Sequence, residues 1–293
     1  MKIEIVTSED IASAETGFGS YGTCLNLLYL ITSLGHKVSL SSCHFEGQLQ
    51  RIISRKPDLV ILATKMIHAD DGEDIWLSEY FEQHGIPYSG SSKATFELIS
   101  DMQLSTEILL NAGIETPALF KEKNTVSLTS NNQSFAHFET HLSGSSYTAS
   151  ILLNSSGDLL ISAVEVLLPS KHTRTETLAK INNPELRQDL SDLAKESYIA
   201  LGAKGFARID IESDEEGQLY FMAIDLLPDL TPETSNFVKA FQIDRGISFN
   251  NIIEHIIYQH DSEIGIEIPS HHHLTSPSNM SRKINHTKAG IEI

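Results

Sequence analysis

Cysteine, cationic residues and long apolar runs are all scarce in this chain, and each shortage removes a class of function. Only Cys24 and Cys43 occur among 293 residues. Two are too few for a disulfide-stapled scaffold and lack zinc-type spacing; Cys24, inside an apolar helical stretch, reads as core. Lys and Arg number 21 against 39 Asp and Glu, a net charge of −18. Phosphate backbones are held by clustered Lys and Arg, so no nucleic-acid partner is expected, and the charge equally opposes an anionic membrane surface. No apolar run reaches the ~20 residues that a membrane helix needs. The opening MKIEIVTSED has no basic segment leading into an apolar stretch, so no signal peptide is visible and a cytoplasmic protein is expected. What is present is 40% hydrophobic residues. That is ample core for one large domain or two to three small ones.

Periodicity organises the chain. MKIEIVT alternates as a strand, YGTCLNLLYLITSLGH reads as a largely buried helix closed by Gly35, and KVSLSSC and PDLVILAT read as further strands. The continuous apolar run of PDLVILAT suits a strand buried on both faces. EDIWLSEYFEQHG is an amphipathic helix stopped by Gly85. This alternation predicts a parallel α/β sheet over residues 1 to about 90. Two helices come next, KATFELIS and DMQLSTEILLNAG. Residues 121–134 are polar and turn-like. AHFETHL, SYTASILLN and DLLISAVEVLLP read as strands, the last two joined as a hairpin through NSSGD. Residues 170–182 are polar and expected to be mobile. NPELRQDLSDLAKESYIALGA is a helix with Asn183 as cap and Pro184 in its first turn. GFARIDIESDEEGQLYFMAIDLLPDL is a second hairpin, with carboxylates at its strand ends. ISFNNIIEHIIYQH is an amphipathic helix. The tail, residues 269–293, has little core-forming periodicity and reads as disordered. Its run His271–His273 reads as solvated tail, with a metal-binding role as a weaker alternative.

Three stretches together resemble the D-alanine–D-alanine ligase family of ATP-grasp ligases. LVILATKMIHADDGEDIWLSEYFEQHGIPYSGSS is similar to the family's His-Gly, Gly-Glu-Asp, helix, GIPYTGS order. SDMQLSTEILLNAGIETP matches its MDKxxxKxxxxxAGxxTP helix in length and ending. LGAKGFARIDIESDEEGQLYFMAIDLLPDLTPETS follows LGxxGxxRIDxxxDxxGxxYxxEINTxPGxTxxS almost without gaps. The resemblance covers most of residues 57–260. It implies an α/β, ATP-grasp-like fold: an N-terminal parallel α/β domain over 1–92, a shortened central α+β subdomain over 93–168 and a C-terminal α+β subdomain over 169–268. It implies a chemistry in which ATP phosphorylates a carboxylate and an amine then attacks the acyl phosphate. Such chemistry crowds negative charge and needs Mg²⁺, cationic side chains and backbone N–H groups aimed at the phosphates. By resemblance Asp210 and Asp225 are metal ligands, Arg208 stabilises the transferred phosphoryl or the oxyanion, and Glu139 faces the ribose. His68 lies near the first substrate and Glu15 holds its ammonium. Dimerisation through the N-terminal domain is a further expectation.

The departures from the pattern are concentrated where ATP would sit. Ala223 stands where the family's motif has the Glu that bridges two metals, Asp225 replaces its Asn, and Asp229 replaces the Gly of its Pro-Gly. Met102 and Thr106 stand where the helix would carry two lysines. Between Pro117 and HFETHL roughly twenty residues remain, without the family's VKP lysine or Gly-rich loop. Losing one oxyanion-type donor costs on the order of 10²–10³ in rate, and the combined losses cost more, though not additively. Two functions stay open. One is a ligase-like protein with a degraded ATP site, non-catalytic or weakly active, that binds a small amino acid, a peptide or a homologous ligase subunit. The other is an active ATP- and Mg²⁺-dependent carboxylate–amine ligase whose phosphate clamp is rebuilt from Lys121, Lys123, Lys171 or Arg174. At residue level the plainer readings also stand: solvated acids at 210 and 225, an ion pair for Arg208, helix capping by His68 and Glu73, and an exposed strand residue at Glu139.

Overall fold

The computed structural model describes residues 1–8, 18, 21–68, 74–117, 135–137, 142–154, 156–167 and 176–259. In chain order the elements are β1 (Lys2–Thr7), α1 (Tyr21–Ser33), β2 (Lys37–Ser42), α2 (Glu46–Arg55), β3 (Leu59–Leu62), β4 (Met66–His68), β5 (Asp74–Trp76), α3 (Leu77–Gln83), α4 (Lys93–Ser100) and α5 (Met102–Asn111). The second half contributes β6 (Phe135–His137), β7 (Ser146–Leu153), β8 (Leu159–Leu167), β9 (Thr177–Lys180), α6 (Pro184–Ala200), β10 (Phe206–Ser213), β11 (Leu219–Asp225), α7 (Asn236–Arg245) and α8 (Phe249–Tyr258).

β1 pairs in parallel with both β2 and β3, giving the parallel sheet that the strand–helix alternation predicts, in the order β2-β1-β3. The strand period of two divides β1 between two cores. Ile3 and Ile5 join α1 and the second half of the molecule, while Val6 faces Leu49 and Ile52 of α2 and Phe81 of α3. Glu4 lies on the α2 side, where it is buried and held by Arg55 at 2.7 Å and by the Ser41 hydroxyl at 2.5 Å. α1 buries Thr23, Cys24, Leu27 and Ile31, one stripe at helical spacing, but Tyr29 is 69% exposed. The expectation of a largely buried helix is therefore corrected: α1 carries no charged residue, yet buries one face only.

The second half is a six-stranded antiparallel sheet in the order β6-β11-β10-β7-β8-β9. The β7–β8 and β10–β11 hairpins form as their turns predict. α6 starts where Asn183 Oδ1 accepts the N–H groups of Glu185 and Leu186, with Pro184 in its first turn. α7 lies on the other side, with Phe237 against Phe206 of β10 at 5.9 Å between ring centroids.

Three differences from the sequence reading have local causes. Asp74–Trp76 is strand, not helix, because Ile75 pairs with Ile67 and packs into the smaller core, so the helix begins at Leu77. Part of the polar stretch 170–182 forms β9, paired to β8 through Val164–Lys180 and Leu167–Thr177. Sequence reasoning misses α2 and α7, both short helices of 10 residues. Among the described residues no helix is long and apolar enough to cross a membrane. The tail 269–293 and the segment 121–134 lie outside the described residues.

Candidate functional site

The site is assembled by the register of three strands. Directly opposed residues of an antiparallel pair share a face. Arg208 of β10 stands opposite Asp225 of β11 on one side and Ser150 of β7 on the other, and Ser150 stands opposite Ser162 of β8. Two residues along, Asp210 stands between Ala223 and Thr148. One face of the sheet therefore carries two polar rows side by side. A register shift between Asp210 and Ile211 closes this arrangement, and beyond it the hairpin pairs in a new phase.

Within the rows the charges satisfy one another. The Arg208 Nη2 group donates to Asp210 Oδ2 at 3.2 Å, and Thr148 Oγ1 donates to Asp210 Oδ1 at 2.9 Å. Asp225 Oδ1 accepts the Leu227 N–H at 2.9 Å. Burial pulls the Arg208 guanidinium down, but Asp210, Asp225 and Glu176 together outweigh it and hold the group above its ordinary value. Burial also dominates at Asp225 and pushes its carboxyl up to about 6; Arg208 and the Leu227 N–H oppose the rise, and Asp210 and Asp229 add to it. Among the described residues, Arg208 Nε, Ser150 Oγ and Ser162 Oγ are buried without a hydrogen-bond partner.

The chain leaves β11 through two successive side-chain-closed turns. Asp225 closes the first on Leu227, and Asp229 closes the second, where Oδ1 accepts from the Thr231 N–H at 2.9 Å and its hydroxyl at 2.7 Å. Asp229 Oδ2 accepts from Thr234 Oγ1 at 3.2 Å, and the Ser235 hydroxyl donates to the Asp229 carbonyl while capping α7. Thr231 Oγ1 also meets Thr23 Oγ1 of α1 at 2.8 Å, tying this loop to the N-terminal half. Both Asp229 oxygens are thus committed to the turn that shapes the loop.

Of the residues singled out from sequence, the fold brings Arg208, Asp210 and Asp225 together. His68 ends β4 and pairs by register with Asp74. Glu15, Glu139, Glu73, Lys121, Lys123, Lys171 and Arg174 lie outside the described residues. At the helix expected to carry lysines, Met102 packs against the core and the Thr106 hydroxyl donates to the Met102 carbonyl at 2.6 Å. Sequence reasoning missed the row Thr148, Ser150 and Ser162. The signal was there: hydroxylic residues at alternate positions of β7, and one in the predominantly apolar β8. It also missed Lys65, buried with its ammonium 5.9 Å from the Trp76 ring centroid; burial lowers its pKa and Asp74 opposes the fall.

Comparison with known proteins converges on one family. The model of the D-ala D-ala ligase C-terminus matches residues 168–258. A D-alanine–D-alanine ligase of Chromohalobacter salexigens is 23% identical over 260 residues, spanning 72% of this chain and 80% of its own. One of Francisella philomiragia subsp. philomiragia is 26% identical over 251 residues, spanning 71% and 82%. Among solved structures, the D-alanine–D-alanine ligase of Bacillus anthracis complexed with ATP superposes with a TM-score of 0.65 at 20% identity, covering 88% of this chain and 97% of that one. The VanG D-Ala:D-Ser ligase of Enterococcus faecalis gives 0.61 at 17% identity, covering 88% and 99%.

Proposed function

We propose that this chain, whose C-terminal part matches the D-alanine–D-alanine ligase model and whose fold is that of the ATP-grasp ligases, does not ligate at a ligase's rate but binds a small amino acid or peptide, or a homologous ligase subunit. The observation that carries this reading is the state of the Arg208 row. Arg208 is committed to Asp210 and stands opposite Asp225, and Ala223, not an acid, occupies the position opposite Asp210.

Magnesium takes hard oxygen ligands in near-octahedral geometry and is usually bound through carboxylates together with substrate phosphates. Against that requirement, among the described residues no group of three or more His, Cys, Asp or Glu side chains could hold a metal. Of the nearby acids, Asp225 accepts the Leu227 N–H through Oδ1, and both Asp229 oxygens are used in its turn. The described residues by themselves supply no two-metal nucleotide cluster, which supports the proposed reading, and we route no chemical step through Mg·ATP. Asp229 also adds an anion on the stretch where the family's motif has glycine, in a chain of net charge −18.

The alternative, an ATP-dependent carboxylate–amine ligase, is favoured by one feature. The Arg208 and Asp210 side chains are 25% and 39% exposed, so a cation and an acid remain reachable on one face. A thermal-shift titration separates the two. Ligand at a hundredfold excess over Kd stabilises the folded state by about 2.7 kcal/mol, which for a chain of this size is a rise on the order of 5 °C. The expected result is no rise with millimolar Mg·ATP and no ADP release with a panel of D- and L-amino acids. A clear ATP-dependent rise, or ADP release with any pair, reverses the proposal in favour of the ligase.

A further inference from the structure

The end of α8 is tied to the N-terminal sheet through His36. This residue lies between α1 and β2, where its N–H donates to the Ile31 carbonyl at 3.4 Å. The Tyr258 hydroxyl lies 3.4 Å from His36 Nε2, and the two rings are tilted by 59° with 5.9 Å between their centroids. The next residue, Gln259, is buried, and its side chain reaches the junction of the two halves: a Cβ added to Gly205 would lie 2.9 Å from Gln259 Oε1 and 3.0 Å from the Gly90 Cα. What happens at His36 therefore bears on that junction.

The other ring nitrogen meets a cation. The Met1 amino group lies 3.5 Å from His36 Nδ1. The sheet fixes it there: the Met1 carbonyl accepts the Lys37 N–H at 3.0 Å, and the Lys2 N–H donates to Asp58 Oδ2 at 2.6 Å. An ammonium group has hydrogens to give and no lone pair to offer, so Nδ1 is the acceptor in that contact. The ring is then neutral, its hydrogen is on Nε2, and Nε2–H donates to the Tyr258 hydroxyl. A proton added to Nδ1 would turn a second donor, on a cationic ring, toward the ammonium.

The charged and titratable groups around the ring come from three elements, since α1 carries no charge. β1 brings the amino terminus and β2 brings Lys37, the residue after His36. α8 brings Glu254, His255 and Tyr258, with Glu254 one helical turn before Tyr258 and on the same face. Burial lowers the His36 pKa, the amino terminus lowers it further, and Glu254 opposes both. The direction agrees with the hydrogen-bond geometry: the closed contact holds a neutral ring.

We propose that His36 is an acid-sensitive latch: its protonation releases the end of α8 from the N-terminal sheet and loosens the junction at Gly90, Gly205 and Gln259. Both contacts of the ring are at the long end of the hydrogen-bond range, so the latch is weak and opens by local rather than global unfolding. When it is open, His36 is solvated and takes up its proton in the ordinary histidine range, near 6.5. When it is closed, the proton enters only at lower pH. Between those limits the open form binds more protons, so acid favours opening, and closure is regained as pH rises above about 6.5.

Hydrogen exchange on the full chain, corrected for the intrinsic pH dependence of exchange, reads the latch at the amides of residues 249–259. Between about pH 7.5 and about pH 5.5 their protection should fall by at least about twofold, while α6 keeps its own. His36→Gln keeps a polar side chain beside Tyr258 but cannot titrate, and should show no such fall. Protection that holds in the wild type overturns the proposal. So does an equal fall in His36→Gln, which would assign the effect to another group such as His255, or an equal fall in α6, which would make it a global loss of stability. An NMR titration of the wild type, with the His36 imidazole resonance identified by its loss in His36→Gln, is a separate check. Its midpoint should lie below the ordinary histidine range. A midpoint at or above that range would mean that Glu254 outweighs burial and the ammonium, and the latch would be refuted even if the variant failed to fold.

Discussion

Asp225 is the residue where the site's electrostatics become measurable. Its carboxyl is pushed up to about 6 by burial, against the pull of Arg208 and the Leu227 N–H. An unfolded chain gives up this proton in the ordinary carboxylate range, whereas the folded chain keeps it until about pH 6. Between those limits the folded state binds more protons, so this group's contribution to stability falls as pH rises across the window. Asp225→Asn has no proton to lose and keeps the shape. The variant should therefore gain on the wild type as pH rises from 4 to about 6.5, and the gap should then stay constant; urea melts across that range give the answer. A gap that shrinks with pH would mean that Arg208 dominates Asp225. The triad itself was legible in the sequence, because Arg208 and Asp210 share a strand face and the hairpin turn sets which acid lies across. The hydroxyls of Ser150 and Ser162 left a signal within their own hairpin, but their place beside Arg208 was not legible, because the pairing of β7 with β10 joins distant segments.

At the level of elements, what could be read in advance was what is local. Asn183 and Pro184 announce the start of α6, and the alternating strands of β7, β8, β10 and β11 announce their hairpins. β5 was misread because three residues carry no period of their own and take their conformation from β4. The junction of elements at Gly205 shows another non-local constraint. Its φ is +73°, and an added Cβ would lie 2.9 Å from Gln259 Oε1 and 3.0 Å from the Gly90 Cα. Gly217, in the β10–β11 turn, has φ +85° but open space around it. Both alanine substitutions carry the left-handed penalty of about 1 kcal/mol, and Gly205→Ala adds an overpacking cost of at least about 1 kcal/mol. Urea denaturation at constant slope should rank Gly205→Ala as the more destabilised by that margin. Equal losses would show that the contact between the start of β10, Gly90 and the end of α8 relaxes freely.

For the whole molecule the governing fact is a net charge of −18 on 293 residues. Self-repulsion on that scale opposes the compact state, and salt relieves it because the Debye length shrinks to about 8 Å at physiological ionic strength. The melting temperature should therefore climb as sodium chloride is added. Magnesium chloride makes this a test of the candidate site. A divalent cation condenses on any acidic surface, so a larger rise than sodium gives at matched ionic strength is not by itself a site. The discriminating comparison uses Asp210→Asn/Asp225→Asn. Removing two of 39 acids changes the diffuse term only slightly, whereas it abolishes a metal held between those two carboxylates. With Arg208 already tied to Asp210, the magnesium-minus-sodium increment should be the same, within about 1 °C, in the wild type and in the double variant. An increment of several degrees that vanishes in the variant would show a magnesium ion gripped by this pair, and the case against ligase chemistry would lose its electrostatic ground.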